Sequence, residues 1–376
     1  MTEPIRVVIV GCGIIAFNHV SAIARIPDLA LTALVDVDAA SANSLADYLD
    51  GQGETRPKTY GSLADALAAG GIGLVVICTP SGLHVSLAEE ALAAGCHVII
   101  EKPLDVALPR ARRIAELAMA AEERGLVVSV ISQHRFDPAS VVVHDAAQKG
   151  ELGRLTSGIA SIAWWRGQDY YDLADWRGTW ELDGGGAAMN QGVHTIDLLL
   201  WMFGEPIDVS ARTASLAHER IEVEDTLVAT ITFASGALAV IHATTAAFPN
   251  VGTRLQVHGS QGSAVIEEDQ LLFFSSSASD QQGNQAAEVV PAEEVRGNPR
   301  ALDSFVVGHA RQYEDVVRAI RDHRPPLVRV TDALLALAVV RALYLSATLG
   351  RTVTIAEVLD GSLDDVEVRT GTTPAH

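Results

Sequence analysis

Lys102 stands in Glu101-Lys102-Pro103, directly after the apolar run His97-Val98-Ile99-Ile100. A lysine ammonium at the carboxyl end of a buried strand can hold a substrate hydroxyl and stabilise alkoxide character on its oxygen. A surface lysine before a turn proline would look the same. His194 lies in Gly184-Gly185-Gly186-Ala187-Ala188-Met189-Asn190-Gln191-Gly192-Val193-His194-Thr195-Ile196-Asp197-Leu198-Leu199-Leu200-Trp201. Val193, Ile196, Leu200 and Trp201 predict a helix with one buried face. Asn190, four residues before His194, falls on the same face and within its reach. Imidazole is the side chain suited to accept a proton from an alcohol near neutral pH, although a lone histidine is more often a core residue satisfied by a carbonyl.

Chemistry of that kind needs a hydride acceptor, and the start of the chain supplies a place for one. Ile5-Arg6-Val7-Val8-Ile9-Val10 reads as a buried parallel strand, and Phe17, Val20, Ile23 and Ala24 have helical spacing. Gly11-Cys12-Gly13-Ile14-Ile15-Ala16 lies between them. Strand, glycine turn and helix in that order form a dinucleotide-binding context. Gly11 permits the turn, Gly13 lets the backbone approach a pyrophosphate, and Ala16 allows close helix–strand packing, with the helix N-terminus facing the phosphates. A second strand, Ala30–Val35, ends at Asp36, whose carboxylate suits the adenosine ribose hydroxyls and repels a 2′-phosphate. No Lys or Arg lies between Val37 and Asn43, so NAD is favoured over NADP.

A third group is aromatic and basic. Trp164-Trp165-Arg166 and Tyr170-Tyr171, then Trp176-Arg177-Gly178-Thr179-Trp180, precede the histidine helix. Aromatic faces stack on sugar C–H surfaces and arginine binds carboxylate or phosphate bidentately; core or interface packing is the alternative. Arg177 is the preferred anion contact, with Trp176 beside it.

The elements that would position these groups follow from the hydrophobic pattern. Up to about Ser132 strands alternate with helices: helices over Ala39–Leu49, Leu83–Ala94 and Val106–Arg124, strands at Gly73–Cys78, His97–Ile100 and Leu126–Ile131. This is a doubly wound α/β domain with right-handed crossovers, residues 1–132. Residues 133–360 form a second, α+β domain. Its strand-like runs at Ser157–Trp164, Ile207–Thr213, Thr226–Phe233, Ala237–Thr244, Thr253–Gly259, Ser263–Glu267 and Leu271–Ser275 predict a large, open, mostly antiparallel sheet. Ser276–Asn298 reads as a polar loop, helices are expected over Leu302–Asp322 and Thr331–Leu349, and the tail 361–376 is expected to be flexible.

Composition narrows the partners. The chain has 376 residues, 48% hydrophobic and 20% charged, with a formal charge of −20. That balance is globular and opposes binding to nucleic acid or an anionic membrane. No run approaches about 18 uninterrupted apolar residues and the start lacks a signal-peptide pattern. Cys12, Cys78 and Cys96 lack CxxC spacing and read as core fillers, so no metal site and a cytoplasmic protein are expected.

Several motifs in order resemble the glucose-fructose oxidoreductase / inositol dehydrogenase / MocA-type (Gfo/Idh/MocA) family over essentially the whole chain. They are GCGIIA, TPSGLH at Thr79–His84, GCHVIIEKPL at Gly95–Leu104, HRFDP at His134–Pro138, GGGAAMNQGVHTIDLLLWMFG at Gly184–Gly204 and GHARQYEDVVRAI at Gly308–Ile320. The resemblance implies an N-terminal Rossmann domain and reversible NAD(P)-linked oxidation of one hydroxyl on a sugar, sugar derivative or cyclitol, in a homo-oligomer (dimer or tetramer). It implies that Lys102 polarises the reacting oxygen and His194 exchanges its proton. Cofactor contacts are expected from Gly11, Gly13, Ile14, Ile15, Asp36, Thr79, Pro80, His84, Glu101 and Lys102, and substrate contacts from Asn190, Asp197, Arg177, Trp176 and His309. Asp197 could equally be structural, and His84 could cap the helix after Pro80. Inositol dehydrogenase-like members carry Asp where this chain has Asn190, whereas members of the UDP-N-acetylglucosaminuronate type show the NQxxH pattern found here. The alternatives are an NAD-dependent redox-assisted glycosidase or lyase, and a non-catalytic cofactor sensor.

Overall fold

The structure is a computed structural model and describes residues 3–278, 283–290 and 304–370. In chain order the elements are β1 (Ile5–Val10), α1 (Ile14–Ile23), β2 (Leu29–Val35), α2 (Ala39–Gly51), β3 (Lys58–Tyr60), α3 (Leu63–Ala68), β4 (Leu74–Ile77), α4 (His84–Ala93), β5 (His97–Ile100), α5 (Leu108–Glu122) and β6 (Val128–Val130). There follow α6 (Pro138–Gln148), β7 (Leu155–Ala163), α7 (Gln168–Asp172), α8 (Val193–Phe203), β8 (Pro206–Ala214), β9 (Thr226–Phe233), β10 (Leu238–Thr244), β11 (Gly252–Gly259), β12 (Gly262–Glu267), β13 (Gln270–Ser276) and α9 (Ala286–Val289). The last elements are α10 (Ser304–Asp322), α11 (Val330–Leu349), β14 (Val353–Thr354) and α12 (Ile355–Leu359).

The first unit is built on a six-stranded sheet in the order β3-β2-β1-β4-β5-β6, with every pair parallel. Its central strands are continuous β-branched and leucine runs, fully buried at Val7, Val8, Ile9, Leu74, Val75, Val76 and Ile77, as helices on both faces require. The sequence reading passes over β3 and α3. β3 is only Lys-Thr-Tyr and α3 only six residues long, too short for a periodicity to register.

A boundary at 132/133 gives α10 to the second domain, but α10 belongs to the first unit. Val306, Ala310, Tyr313, Val316, Val317 and Ala319 join the core around α1. Gln312 adds polar ties, accepting the Ser132 N–H at 3.0 Å and donating to the Val130 carbonyl at 2.7 Å.

The second unit carries an eight-stranded sheet, β13-β12-β11-β7-β10-β9-β8-β14. All neighbours are antiparallel except β7 and β10, which run parallel. One face is covered: along β9, Leu227, Ala229, Ile231 and Phe233 are buried while Val228 and Thr230 are exposed, the period-two alternation of a one-sided sheet. Helix α8 packs on β7 and β11, with Phe203 stacked on Phe233 at 5.2 Å.

The tail differs from its expectation as far as residue 370. Thr348 Oγ1 donates to the Arg369 carbonyl, Arg341 donates to the Val366 carbonyl and Val368 is buried. Residues 371–376, and part of the loop expected over Ser276–Asn298, lie outside the described residues. By length and composition α11 is apolar enough to cross a membrane, which the search for unbroken apolar runs overlooked; 61% of its most apolar stretch is buried within the fold.

Candidate active site

The glycine turn is where the first unit is least tolerant of side chains. Gly11 has φ +92°, and a Cβ there would come within 2.7 Å of the Cys78 carbonyl carbon, so both conformation and space demand glycine. A Cβ on Gly13 would meet nothing within 4 Å; its open side faces away from the protein's own atoms. Asp36 links the end of β2 to this turn, accepting the Cys12 N–H at 2.8 Å and the Asp38 N–H at 2.9 Å. Ile14 and Val37, following β1 and β2, are almost fully exposed, Ile15 is half-buried and Pro80 is exposed. Thr79 Oγ1 is buried with no hydrogen-bond partner among the described residues. Open space at Gly13, uncovered apolar side chains and an orphaned hydroxyl, all at carboxyl ends of parallel strands, fit a dinucleotide.

Two residues expected to touch the cofactor face inward instead. His84 is buried with Nδ1 3.0 Å from the Leu104 carbonyl and Nε2 3.1 Å from the Thr79 carbonyl; it clamps the segments after β4 and β5. Glu101 is buried too, its Oε1 2.9 Å from His19 Nε2 and 3.6 Å from His309 Nε2. Its Oε2 accepts the N–H of Lys102 at 2.8 Å. His309, expected at the substrate, is therefore a core residue of the first unit, edge-on to His19. Burial pushes Glu101 upward, but the His19 and His309 donors outweigh it and hold the carboxyl well below its ordinary range. Lys102 itself is half-buried, and its ammonium makes no ion pair or hydrogen bond among the described residues. The carboxylate thus fixes the lysine's backbone and leaves its charge available.

In the second unit residues Ala188–Gly192 form a π-helical turn that runs into α8, a distortion often found at functional sites. Glu224 builds it. This buried carboxyl accepts the Gly186 and Ala188 N–H groups, both at 2.9 Å, and the Tyr344 hydroxyl at 3.0 Å. Burial pushes it up to about 7 against these hydrogen bonds. A Cβ on Gly186 would lie 1.8 Å from the Glu224 carbonyl oxygen, so only glycine fits. The wider turn changes the expected relation of Asn190 to His194: the Asn190 amide nitrogen donates to Asp183 Oδ1 at 2.9 Å and to the Gly185 carbonyl at 3.0 Å. Asn190 braces the turn.

His194 is half-buried, its ring edge-on to His134 with centroids 5.1 Å apart. His134 Nδ1 lies 2.8 Å from Asp137 Oδ2 and 3.1 Å from Asp269 Oδ1. Burial opposes its charge, but Asp269 and Asp137 together push it up to about 10. Sequence reasoning missed this neighbour as a site residue, although the His-x-x-Asp spacing of HRFDP was visible. Asp197 is not available to substrate: Arg135 Nε and Nη2 hold its two oxygens at 2.8 and 2.6 Å, with both side chains buried. Arg177 stacks on Tyr170 at 4.2 Å and on the exposed Trp176 at 5.0 Å.

Comparison with known proteins agrees with this division. Residues 5–132 match the oxidoreductase-family model for an NAD-binding Rossmann fold, and residues 141–265 match the GFO/IDH/MocA C-terminal domain. The WlbA dehydrogenase from Bordetella pertussis, solved with NADH and UDP-GlcNAcA, superposes with a TM-score of 0.81 at 31% identity over 94% of this chain and 98% of that one. The chain belongs to the Gfo/Idh/MocA oxidoreductase family. The first unit of this Gfo/Idh/MocA oxidoreductase is accordingly its NAD-binding Rossmann domain. Family relatives include the D-apiose dehydrogenase of Paraburkholderia graminis, 27% identical over 92% of this chain and 88% of the relative. The inositol 2-dehydrogenase of Rhizobium meliloti is 28% identical over 70% and 76%.

Proposed function

We propose that this oxidoreductase reversibly oxidises one hydroxyl of a sugar, sugar derivative or cyclitol, with Lys102 and His194 acting on the reacting oxygen. The observation that carries the reading is Lys102: its main chain is tethered to a buried carboxylate while its ammonium is unpaired among the described residues. Relatives that act on apiose and inositol, and one solved with a nucleotide sugar, support the substrate class.

NAD, when bound, accepts the hydride. Gly11, Gly13 and the N-terminus of α1 hold its pyrophosphate, Asp36 its adenosine ribose, and Thr79 offers the hydroxyl that lacks a partner. Lys102 donates to the substrate oxygen and stabilises negative charge on it as the C–H bond weakens. His194 takes the hydroxyl proton and passes it to solvent.

The test is nicotinamide absorbance with NAD across inositols, free sugars, sugar acids and nucleotide sugars. Lys102→Met is expected to lower turnover by about 10²–10³-fold with NAD binding retained, and His194→Gln by about 10²–10⁴-fold. Full turnover in Lys102→Met, or NAD binding with no reduction by any class, overturns the reading. The protein is further proposed to be a cytoplasmic homo-oligomer. Its three buried free cysteines suit a reducing compartment, and Val228, Leu238 and Val240 leave the uncovered face of the second sheet apolar. Sedimentation as a monomer would remove the oligomer.

A further inference from the structure

We propose that Arg166 and Arg177, converging on Tyr170, form an anion-recognition site, so that the substrate carries a carboxylate or phosphate group. The inference rests on the dehydrogenase reading and specifies its substrate.

The Cζ of Arg166 lies 4.8 Å from the Trp164 ring centroid and 5.0 Å from that of Tyr170. Arg177 Cζ lies 4.2 Å from the same Tyr170 centroid and 5.0 Å from Trp176. Two guanidinium groups therefore stand within 5.0 Å of one ring, and neither meets a carboxylate among the described residues. Arg135, Arg220, Arg254 and Arg351 of the same unit each pair with Asp or Glu. The nearby carboxylates are also placed elsewhere: Asp172 pairs with Arg220 at 2.8 Å and Glu222 accepts the Trp180 N–H at 3.0 Å. Arg166 and Arg177 each also keep Nε buried with no acceptor among the described residues. Guanidinium groups without a carboxylate partner are costly to hold in a partly buried place and become favourable when an anion supplies the acceptors.

Both arginines are pre-organised. Stacking fixes the planar forks, which match carboxylate and phosphate oxygens. The Arg166 main chain donates to the Thr245 carbonyl at 2.9 Å and accepts from His218 Nε2 at 2.8 Å. Arg177 is tied to the π-helical turn: the N–H of the next residue, Gly178, donates to Asp183 Oδ2 at 2.8 Å, and Asp183 Oδ1 accepts the Asn190 amide. Asn190 lies in the turn that leads to His194, so the anion site and the proposed proton acceptor share one scaffold.

The test is calorimetric titration of the full chain saturated with NAD, using D-glucose, D-glucuronate, D-glucose 1-phosphate and UDP-glucuronate as probes. At least one anionic probe is expected to bind more tightly than glucose, and less tightly as salt rises. Arg166→Gln and Arg177→Gln should each weaken it about ten-fold or more, and Arg177→Lys, which keeps charge but loses the fork, by an intermediate amount. Glucuronate alone would identify the carboxylate as the recognised group, and glucose 1-phosphate alone the phosphate. Binding of no anionic probe above glucose, or unchanged affinity in variants with wild-type melting temperatures, overturns the site. If the glutamine variants do not fold, the Arg177→Lys titration decides. NADH formed equally from neutral sugars by wild type and both glutamine variants would sink this inference and leave the dehydrogenase. Arginine-dependent binding with no NADH from any probe would sink the dehydrogenase reading and leave the site.

Discussion

Each unit holds a cluster of histidine and carboxylate side chains, and the two are built around central groups of opposite charge. In the first, one carboxylate, Glu101, serves two imidazoles, His19 and His309. In the second, one imidazole, His134, serves two carboxylates, Asp137 and Asp269. Burial pushes His19 down, so it is neutral. The Tyr313 hydroxyl, 2.7 Å away, donates to Nδ1, which leaves the Nε2 proton for Glu101. The first cluster is thus an anion held by a neutral His19, with His309 Nε2 3.6 Å away, whereas the second is a cation between two anions. The ratio of carboxylates to imidazoles decides which group stands at the centre. The anion anchors the backbone of Lys102, and the cation sits beside His194.

The largest break in this comparison is Glu101→Ala. It strands the His19 and Lys102 N–H donors and opens a cavity, so unfolding free energy should fall by about 3–5 kcal/mol in a denaturant titration. Because His19 is neutral, Glu101→Gln keeps one acceptor oxygen and should cost clearly less. Equal losses in the two variants would mean that His19 is charged. Next comes His134→Gln, with a loss of about 1.5–3 kcal/mol near neutral pH. The pH dependence carries the sign. A histidine raised from 6.5 to about 10 stabilises fully below pH 6.5, and the contribution fades as pH rises through 10. Wild-type and His134→Gln stabilities should therefore converge toward pH 10. Glu101, lowered from 4.5, stabilises above that pH and is lost on acidification. A constant gap across the alkaline range would show that His134 is neutral.

How much of this was legible depended on whether the partners were local. The Rossmann strands announce themselves as apolar runs, and the Gly11 turn, Asp36 and the face containing His194 follow from spacing alone. The clusters do not. Asp197 has the periodicity of a helix residue next to the site, yet its partner Arg135 is 62 positions away, and only the fold brings them together. Glu101 borders Lys102 but points the other way along an alternating backbone, toward His19 on α1 and His309 on α10. His309 is expected at the substrate only through the family resemblance, and nothing in its own segment reveals that α10 packs on α1. The π-helical turn was hidden for another reason: it depends on the buried Glu224, which lies beyond α8 in the chain.

Tyr313→Phe tests the neutral cluster more gently. It removes only the hydroxyl that donates to His19 Nδ1, with an expected loss of about 1 kcal/mol. A loss near zero would mean that this hydrogen bond contributes nothing to the stability of the cluster. Asp269→Asn should disturb stability least, since its carboxylate sits at the turn between β12 and β13 and its side chain is 25% exposed. Its effect should instead appear in titration. With one of two anions removed and Asp137 still 2.8 Å from Nδ1, the His134 midpoint, followed by NMR, should fall from about 10 by about one unit or more while remaining above 6.5. An unchanged midpoint would assign the charge on His134 to Asp137 alone, and the second cluster would then be an ordinary ion pair.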